Sequence, residues 1–274
     1  MSAASVPAAG SERRLGRVVL GAFTVAMFLF ILTPIATIVI FSFNVDRFPS
    51  LPWGGFSLYW YEAILADPTI RAGLWRSVIV ASIVAVIATF IGFATAYVDY
   101  RYRFLGKTAY LALAALPPTV PVLILGLAML SFFSLVNLAG TLTGVVVGHV
   151  VICAPFAMAL IRMRLAEMNP DLEAAAWNLG ASQWSTIFAV VVPFCRPSIF
   201  AALAITAAVS FDEFMIAWFV SGMQETLPVR ILALLQGQVS PRINAIGSIV
   251  FFVSISLVIV AQILATRRSG AGAS

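Results

Sequence analysis

Six apolar stretches, at about residues 18–43, 74–98, 109–136, 142–161, 187–221 and 243–266, each supply the roughly 20 residues a helix needs to cross a hydrocarbon core. Inside a bilayer every backbone polar group must be satisfied within the protein, so spans of this kind are helical. The expectation is an all-α, polytopic membrane protein with six transmembrane helices. Composition points the same way: 62% of the 274 residues are hydrophobic and 10% charged, which a water-soluble domain of this length could not show without large exposed apolar patches. The fifth stretch is long enough to include a climb out of the loop before it, and a brief NLAGT turn parts the third from the fourth. Residues 1–12 are small and polar and are expected to be disordered, residues 13–268 to form one transmembrane domain, and residues 269–274 a short tail.

Lys and Arg placement orients the chain. An N-terminus inside the cell puts Arg13, Arg14, Arg17, Arg101, Arg103, Lys107, Arg162, Arg164, Arg196, Arg267 and Arg268 in the cytoplasm. It leaves Arg47, Arg71, Arg76, Arg230 and Arg242 outside. Eleven against five favours both termini in the cytoplasm, and the net charge of +5 reads as a topology signal, not a nucleic-acid footprint. The first stretch is too long for a cleaved signal peptide and is taken as a retained span. Cys153 and Cys195 fall at different levels, which disfavours a disulfide, and no metal-ligand spacing surrounds His149, the single histidine, which reads as a packed, hydrogen-bonded residue. No G-x-x-x-x-G-K-[ST] phosphate loop occurs, so the chain is not expected to be an enzyme that hydrolyses ATP, and nothing calls for a cofactor.

Two segments carry polarity where it is costly. Residues 169–197, NPDLEAAAWNLGASQWSTIFAVVVPFCRP, begin as a helix start: Asn169 as a cap, Pro170 at the first helical position, then Asp171 and Glu173 at the positive end of the dipole. Gly180 ends that helix in a left-handed conformation and Ser182 caps the next, giving a short helix, a bend and a new helix at a membrane surface. From the residues alone this is either a docking elbow or an amphipathic connector between two spans.

The second segment is AVSFDEFMIAWFVSG. Asp212 and Glu213 are its only charges, and an ionised carboxylate facing lipid costs roughly 2.5–3.5 kcal/mol. Asp212 lies 16 residues beyond Arg196, about 24 Å of helix, in the outer half of the bilayer. Thr206, Ser210 and Glu213 form one stripe at i, i+4, i+7, with Asp212 about 100° away. Either a structural hydrogen-bond network or a cation-attracting lining accounts for the pair. In the same way Trp60, in the run Tyr59 to Tyr61, is either an interfacial aromatic or part of an outer mouth, and Pro117, Pro118 and Pro121 mark either a passage or kinked packing.

Several of these runs resemble the binding-protein-dependent permeases of ABC importers, whose loop pattern is EAA, three residues, Gly, nine residues, Ile, one residue, Leu-Pro. Ala175, Ala176, the run Leu179, Gly180, Ala181, Ser182 and, at the correct spacing, Pro193 match it. Two departures occur: the glutamate position holds Ala174, with Glu173 one residue early, and the Ile and Leu positions hold Val190 and Val192. YRYRF-x-GK at the second cytoplasmic turn, WGGF followed by Trp60 and Tyr61, Ser210-x-Asp212-Glu213 with FVSG, and the LP…VSP loop are similar to spermidine/putrescine-type permeases. There the family's acid in an SPD-like run is replaced by Thr119, and the glutamate after VSP by Arg242, each change disfavouring a polycation.

The resemblance implies a type I ABC importer permease fold in a bacterial inner membrane, with a coupling loop at about 165–193 docking on a cytosolic ATPase dimer. It also implies a second permease subunit, a soluble extracytoplasmic binding protein, and a substrate path through Trp60, Thr119, Ser210, Asp212 and Glu213. The cargo it implies is a small amine-bearing cation; an amino-acid derivative or other zwitterion is the alternative. An ion-coupled secondary transporter, with Asp212 and Glu213 as its ion site, is the rival from another class, and a membrane enzyme a weaker third.

Overall fold

The computed structural model describes residues 9–46, 52–237 and 242–266. Twelve α-helices occur among them: α1 (Ala9–Phe41), α2 (Tyr59–Ala66), α3 (Pro68–Arg101), α4 (Lys107–Ala115), α5 (Val122–Leu135), α6 (Leu142–Ala166), α7 (Asp171–Asn178), α8 (Gln183–Thr186), α9 (Val192–Asp212), α10 (Met215–Val220), α11 (Leu227–Gly237) and α12 (Arg242–Thr266). Five helical segments are long and apolar enough to cross a membrane: Gly16–Phe41, Pro68–Arg101, Leu142–Ala166, Gln183–Asp212 and Arg242–Leu264. Helix α1 begins at Ala9, inside the stretch expected to be disordered. Residues 1–8, Arg47, the Val239–Pro241 run, Arg267, Arg268 and the 269–274 tail lie outside the described residues.

The third and fifth expected spans are each broken. Residues 109–136 divide into α4, a 3-10 turn at Pro117–Thr119, and α5. The prolines explain this: Pro117, Pro118 and Pro121 have no N–H to extend a helix, and Val120, preceding Pro121, is pushed to an extended ψ of 134°. The fifth expected span, 187–221, is not one helix. After α8 a π-helical turn, Ile187–Val191, leads into α9, which stops at Asp212. Glu213 is extended (ψ 122°) and α10 starts afresh at Met215.

Helices α3, α6 and α9 pack mutually, α12 covers α9, and α5 lies against α10. In a membrane no hydrophobic effect drives helices together, so close approach of small residues does that work. Ala81, Ala85, Ala88, Gly92 and Ala96 form the buried seam of α3. A Cβ on Gly92 would stand 2.6 Å from Ala157 Cβ, so only glycine lets α3 and α6 come this close. Helix α1 meets the bundle chiefly along α12 and is exposed over almost all of Gly16–Phe41.

The ends of the bundle differ. At one, α3, α6 and the α7–α8 elbow converge. At the other, Ser77 Oγ of α3 accepts from Leu227 N of α11 at 2.9 Å, and Arg76 donates to Glu225 O at 3.4 Å.

Candidate functional site

The elbow is built by local rules. Asn169 Oδ1 accepts from Asp171 N at 3.0 Å, and Asp171 and Glu173 sit in the first turn of α7. At the other end Gly180 N donates to Trp177 O (2.8 Å) and Ala181 N to Ala176 O (3.0 Å), while Gly180 takes φ +85°. This pair of bonds around a left-handed glycine is a Schellman closure. Ser182 Oγ then accepts from Ser185 N at 3.2 Å and starts α8. The bend presents Leu179, Trp184 and Phe188 at 89%, 71% and 67% exposure, an apolar face on a segment otherwise rich in polar groups. Pro193 is in the first turn of α9 and exposed; Ala175 is exposed and Ala176 half-buried.

Glu173, the acid one residue out of register, turns inward. It is buried, its Oε2 is 3.3 Å from Arg101 Nε, and the Arg101 guanidinium lies 4.5 Å from the centroid of the Trp177 ring. Burial raises the Glu173 carboxyl above its ordinary value, and the Arg101 charge opposes that rise. Nearby, Asp99 is buried between Arg162 Nε (2.5 Å) and Lys107 Nζ (3.0 Å), which fastens the α3–α4 turn to α6. Neither cluster was legible beforehand, because Arg101 pairs with Glu173 and Asp99 with Arg162 across dozens of positions whose spacing has no period.

The carboxylate pair in the fifth passage separates into two environments. Glu213 accepts from Ile216 N (3.0 Å) and Ala217 N (3.1 Å), so its carboxylate caps α10 and the broken ladder is satisfied. His149 of α6 is fully buried; its Nδ1 is 2.9 Å from Ser210 Oγ, and its Nε2 stands 3.1 Å from Glu213 Oε2 as a close polar contact without hydrogen-bond alignment. The expected stripe exists, but it faces α6: Thr206 and Ser210 are buried, and Cys153 Sγ approaches Thr206 O at 3.8 Å. Asp212 points elsewhere. It is exposed in the single chain, with Ser254 Oγ of α12 donating to Oδ1 at 2.7 Å.

Of the remaining expected residues, Trp60 is buried, donates from Nε1 to Asn44 O at 2.8 Å, and shares a cluster with Phe211. Thr119 is exposed at the proline break and bonds to Leu116 O (2.7 Å). The structure therefore joins Ser210 and Glu213 through His149, packs Trp60 in one cluster with Phe211, and leaves Asp212 and Thr119 apart. Arg242 approaches Asp67, the N-cap of α3, at 3.9 Å. No group of three or more His, Cys, Asp or Glu able to hold a metal occurs among the described residues.

The family of binding-protein-dependent transport system inner membrane components matches residues 88–269, more than half of the sequence. The chain belongs to this family. The spermidine/putrescine transport system permease protein PotC of Haemophilus influenzae is 31% identical to this permease over 249 residues, covering 90% of the permease and 96% of PotC. The putrescine transport system permease protein PotI of Escherichia coli is 30% identical over 232 residues, covering 81% and 82%. A bacterial ABC transporter that imports the acidic polysaccharide alginate shares the fold, with a TM-score of 0.72 over 94% of the permease and 97% of that chain at 14% identity. The permease is thus a multi-pass inner-membrane component of an ABC importer, and its named relatives are transport proteins, not enzymes.

Proposed function

We propose that this permease forms half of the pathway of an ATP-driven importer and passes a small amine-bearing cation, of polyamine type, that an extracytoplasmic binding protein delivers. The observation that carries the substrate class is the unequal fate of the two acids. Glu213 is satisfied by backbone N–H groups and His149, whereas Asp212 has one serine hydroxyl and an open side. A carboxylate at that depth is unfavourable against lipid, so it faces water or a positive partner, and a transported ammonium is such a partner. The polyamine cargo named for relatives at about 30% identity supports this choice. Fold alone does not, since the same architecture serves an acidic polysaccharide in the alginate importer. Thr119, exposed where the third passage breaks, is a second polar point on the path, and Trp60 and Ser210 act with Phe211 and Glu213 as support. Arg242, which on sequence alone disfavours a polycation, is drawn toward Asp67 and so opposes an ammonium less.

The elbow, on this reading, inserts Leu179, Trp184 and Phe188 into a cytosolic ATPase dimer, with Ala175, Ala176, Gly180, Ala181, Ser182 and Pro193 shaping the contact. A second, different permease subunit completes the membrane part. Eleven Lys and Arg against five support an elbow end, and with it both termini, in the cytoplasm. The test is reconstitution of the permease with its ATPase, partner permease and binding protein in vesicles. ATP-dependent accumulation of labelled spermidine or putrescine supports the proposal; accumulation of sulfate or another anion instead defeats it.

A further inference from the structure

Glu173 and Trp177 are four residues apart on α7 and so share one face, and both meet Arg101 at the C-terminal end of α3. The carboxylate is 3.3 Å from Nε and the indole lies beneath the guanidinium, so a single cation engages two successive turns of the helix before the bend. Beyond the bend, Gln183 Nε2 of α8 donates to the hydroxyl of Tyr102, the very next residue after Arg101, at 2.5 Å. A Cβ on Gly180 would find no atom within 4 Å, so no neighbour crowds that position of the bend. The backbone of α7 packs chiefly on α8 and the π turn, its neighbours within the elbow. Arg101 at the end of α3 and Tyr102 just beyond it reach the elbow with their side chains. Glu173 is buried with Oε1 unpartnered, so the ion pair with Arg101 is its one strong interaction.

We infer that Arg101, assisted by Tyr102, is the positioning residue that fixes the angle of the coupling elbow against α3, and that Glu173, displaced by one residue from the family's acidic position, has become its intramolecular anchor. This rests on the reading of the elbow as the ATPase contact. Ala174, which stands where the family pattern has its acid, is exposed, so in this chain the docking face carries no carboxylate there and the acid serves the tether instead. An elbow held at one arm by the last residue of α3 and at the other by the residue that follows it moves with the end of that helix, and α3 is in turn bonded at its far end to Glu225 and Leu227.

The experiment uses the full complex of permease, partner permease and ATPase. Nitroxide labels are placed at Ala174→Cys and Leu105→Cys, both exposed, while the native Cys153 and Cys195 are fully buried. Arg101→Ala and Glu173→Ala should each broaden the interlabel distance distribution and lower copurifying ATPase by about fivefold or more, at unchanged permease in the membrane. The double variant should be no worse than either single, because the two side chains act as one unit. Arg101→Gln, which keeps a stem over Trp177, serves in place of Arg101→Ala if that variant is lost from the membrane. A narrow distribution with full ATPase recovery in both singles, or losses that multiply in the double, overturns the inference. Gly180→Val separates the two levels: if it removes the ATPase while Arg101 and Glu173 variants do not, the tether alone is refuted, and if it too is neutral, the docking role of the elbow falls with it.

Discussion

His149 Nε2 stands 3.1 Å from Glu213 Oε2 across the break between α9 and α10, and the same imidazole reaches Ser210 Oγ through Nδ1. One side chain of α6 therefore holds both the last turns of α9 and the residue that caps α10. The break is stable because its freed N–H groups have a carboxylate, with the imidazole in close polar contact beside it. Asp212, one residue earlier, shares none of this and is left available.

Replacing the buried partners should therefore cost stability more than selectivity. His149→Ala and Glu213→Gln each leave a buried polar group without its contact, a loss of about 2–3 kcal/mol. The check is thermal unfolding of the purified permease in detergent. Both variants should unfold at lower temperature, yet their uptake per folded molecule should retain the parent's preference among solutes; unchanged melting would contradict a structural role.

Gly180 holds φ +85° with open space around it, so substitution there is opposed by backbone conformation and not by a clash. A β-branched residue in that region is disfavoured by roughly 1–2 kcal/mol, enough to unmake a short Schellman closure. Gly180→Val should leave the protein in the membrane and abolish ATP-dependent uptake, whereas Gly180→Asn, which tolerates the left-handed region, should retain most of it. Equal activity of the two variants would be inconsistent with a conformational role.

Burial of Glu173 makes the elbow sensitive to pH in a definite direction. Burial raises the Glu173 carboxyl and Arg101 opposes that rise, yet the folded value stays above the unfolded one. The stability linked to this group is therefore full below the unfolded value and is lost as pH rises through the raised folded value. Arg101→Ala removes the opposing charge and extends that window upward. A label at position 174 in this variant should be immobile in acid and loosen as pH rises, whereas in the parent Arg101 still meets the ionised carboxylate and the label should loosen less, and Glu173→Gln should abolish the dependence. A pH-independent signal in Arg101→Ala would refute it.

Helix class, the elbow's caps and the bend at Gly180 were legible in the sequence because each follows from short-range chemistry: apolar length, Asn169 and Ser182 as caps, and a glycine where φ is positive. The proline break in the third passage was legible for the same reason. The break after Asp212 was not, since no proline or glycine marks it; it depends on Glu213 bending back to its own backbone and on His149, 64 positions earlier, meeting it. Helical spacing already set Asp212 about 100° from the stripe of Glu213, but what each acid meets is decided by His149 of α6 and Ser254 of α12. Likewise Glu173 read as a dipole partner of α7, and Arg101, far back in the chain, turned it into an anchor.

Orientation can be checked independently. Reporter fusions at residues 55, 140 and 235 should report the external side and those at 104, 175 and 270 the cytoplasm. A cytoplasmic signal at 235 would mean the passage formed by α9 and α10 does not cross, and would remove the basis for placing Asp212 within the membrane.

The most direct measurement is uptake of labelled spermidine by the complete reconstituted importer carrying Asp212→Asn. The substitution preserves shape and the hydrogen bond to Ser254 while removing the charge, so membrane level and copurifying ATPase should match the parent. The account predicts that uptake falls by about tenfold or more, the loss of one charge-assisted contact along the path. Full uptake of the amine in Asp212→Asn would show that this carboxylate does not meet the solute and would contradict the account at its centre.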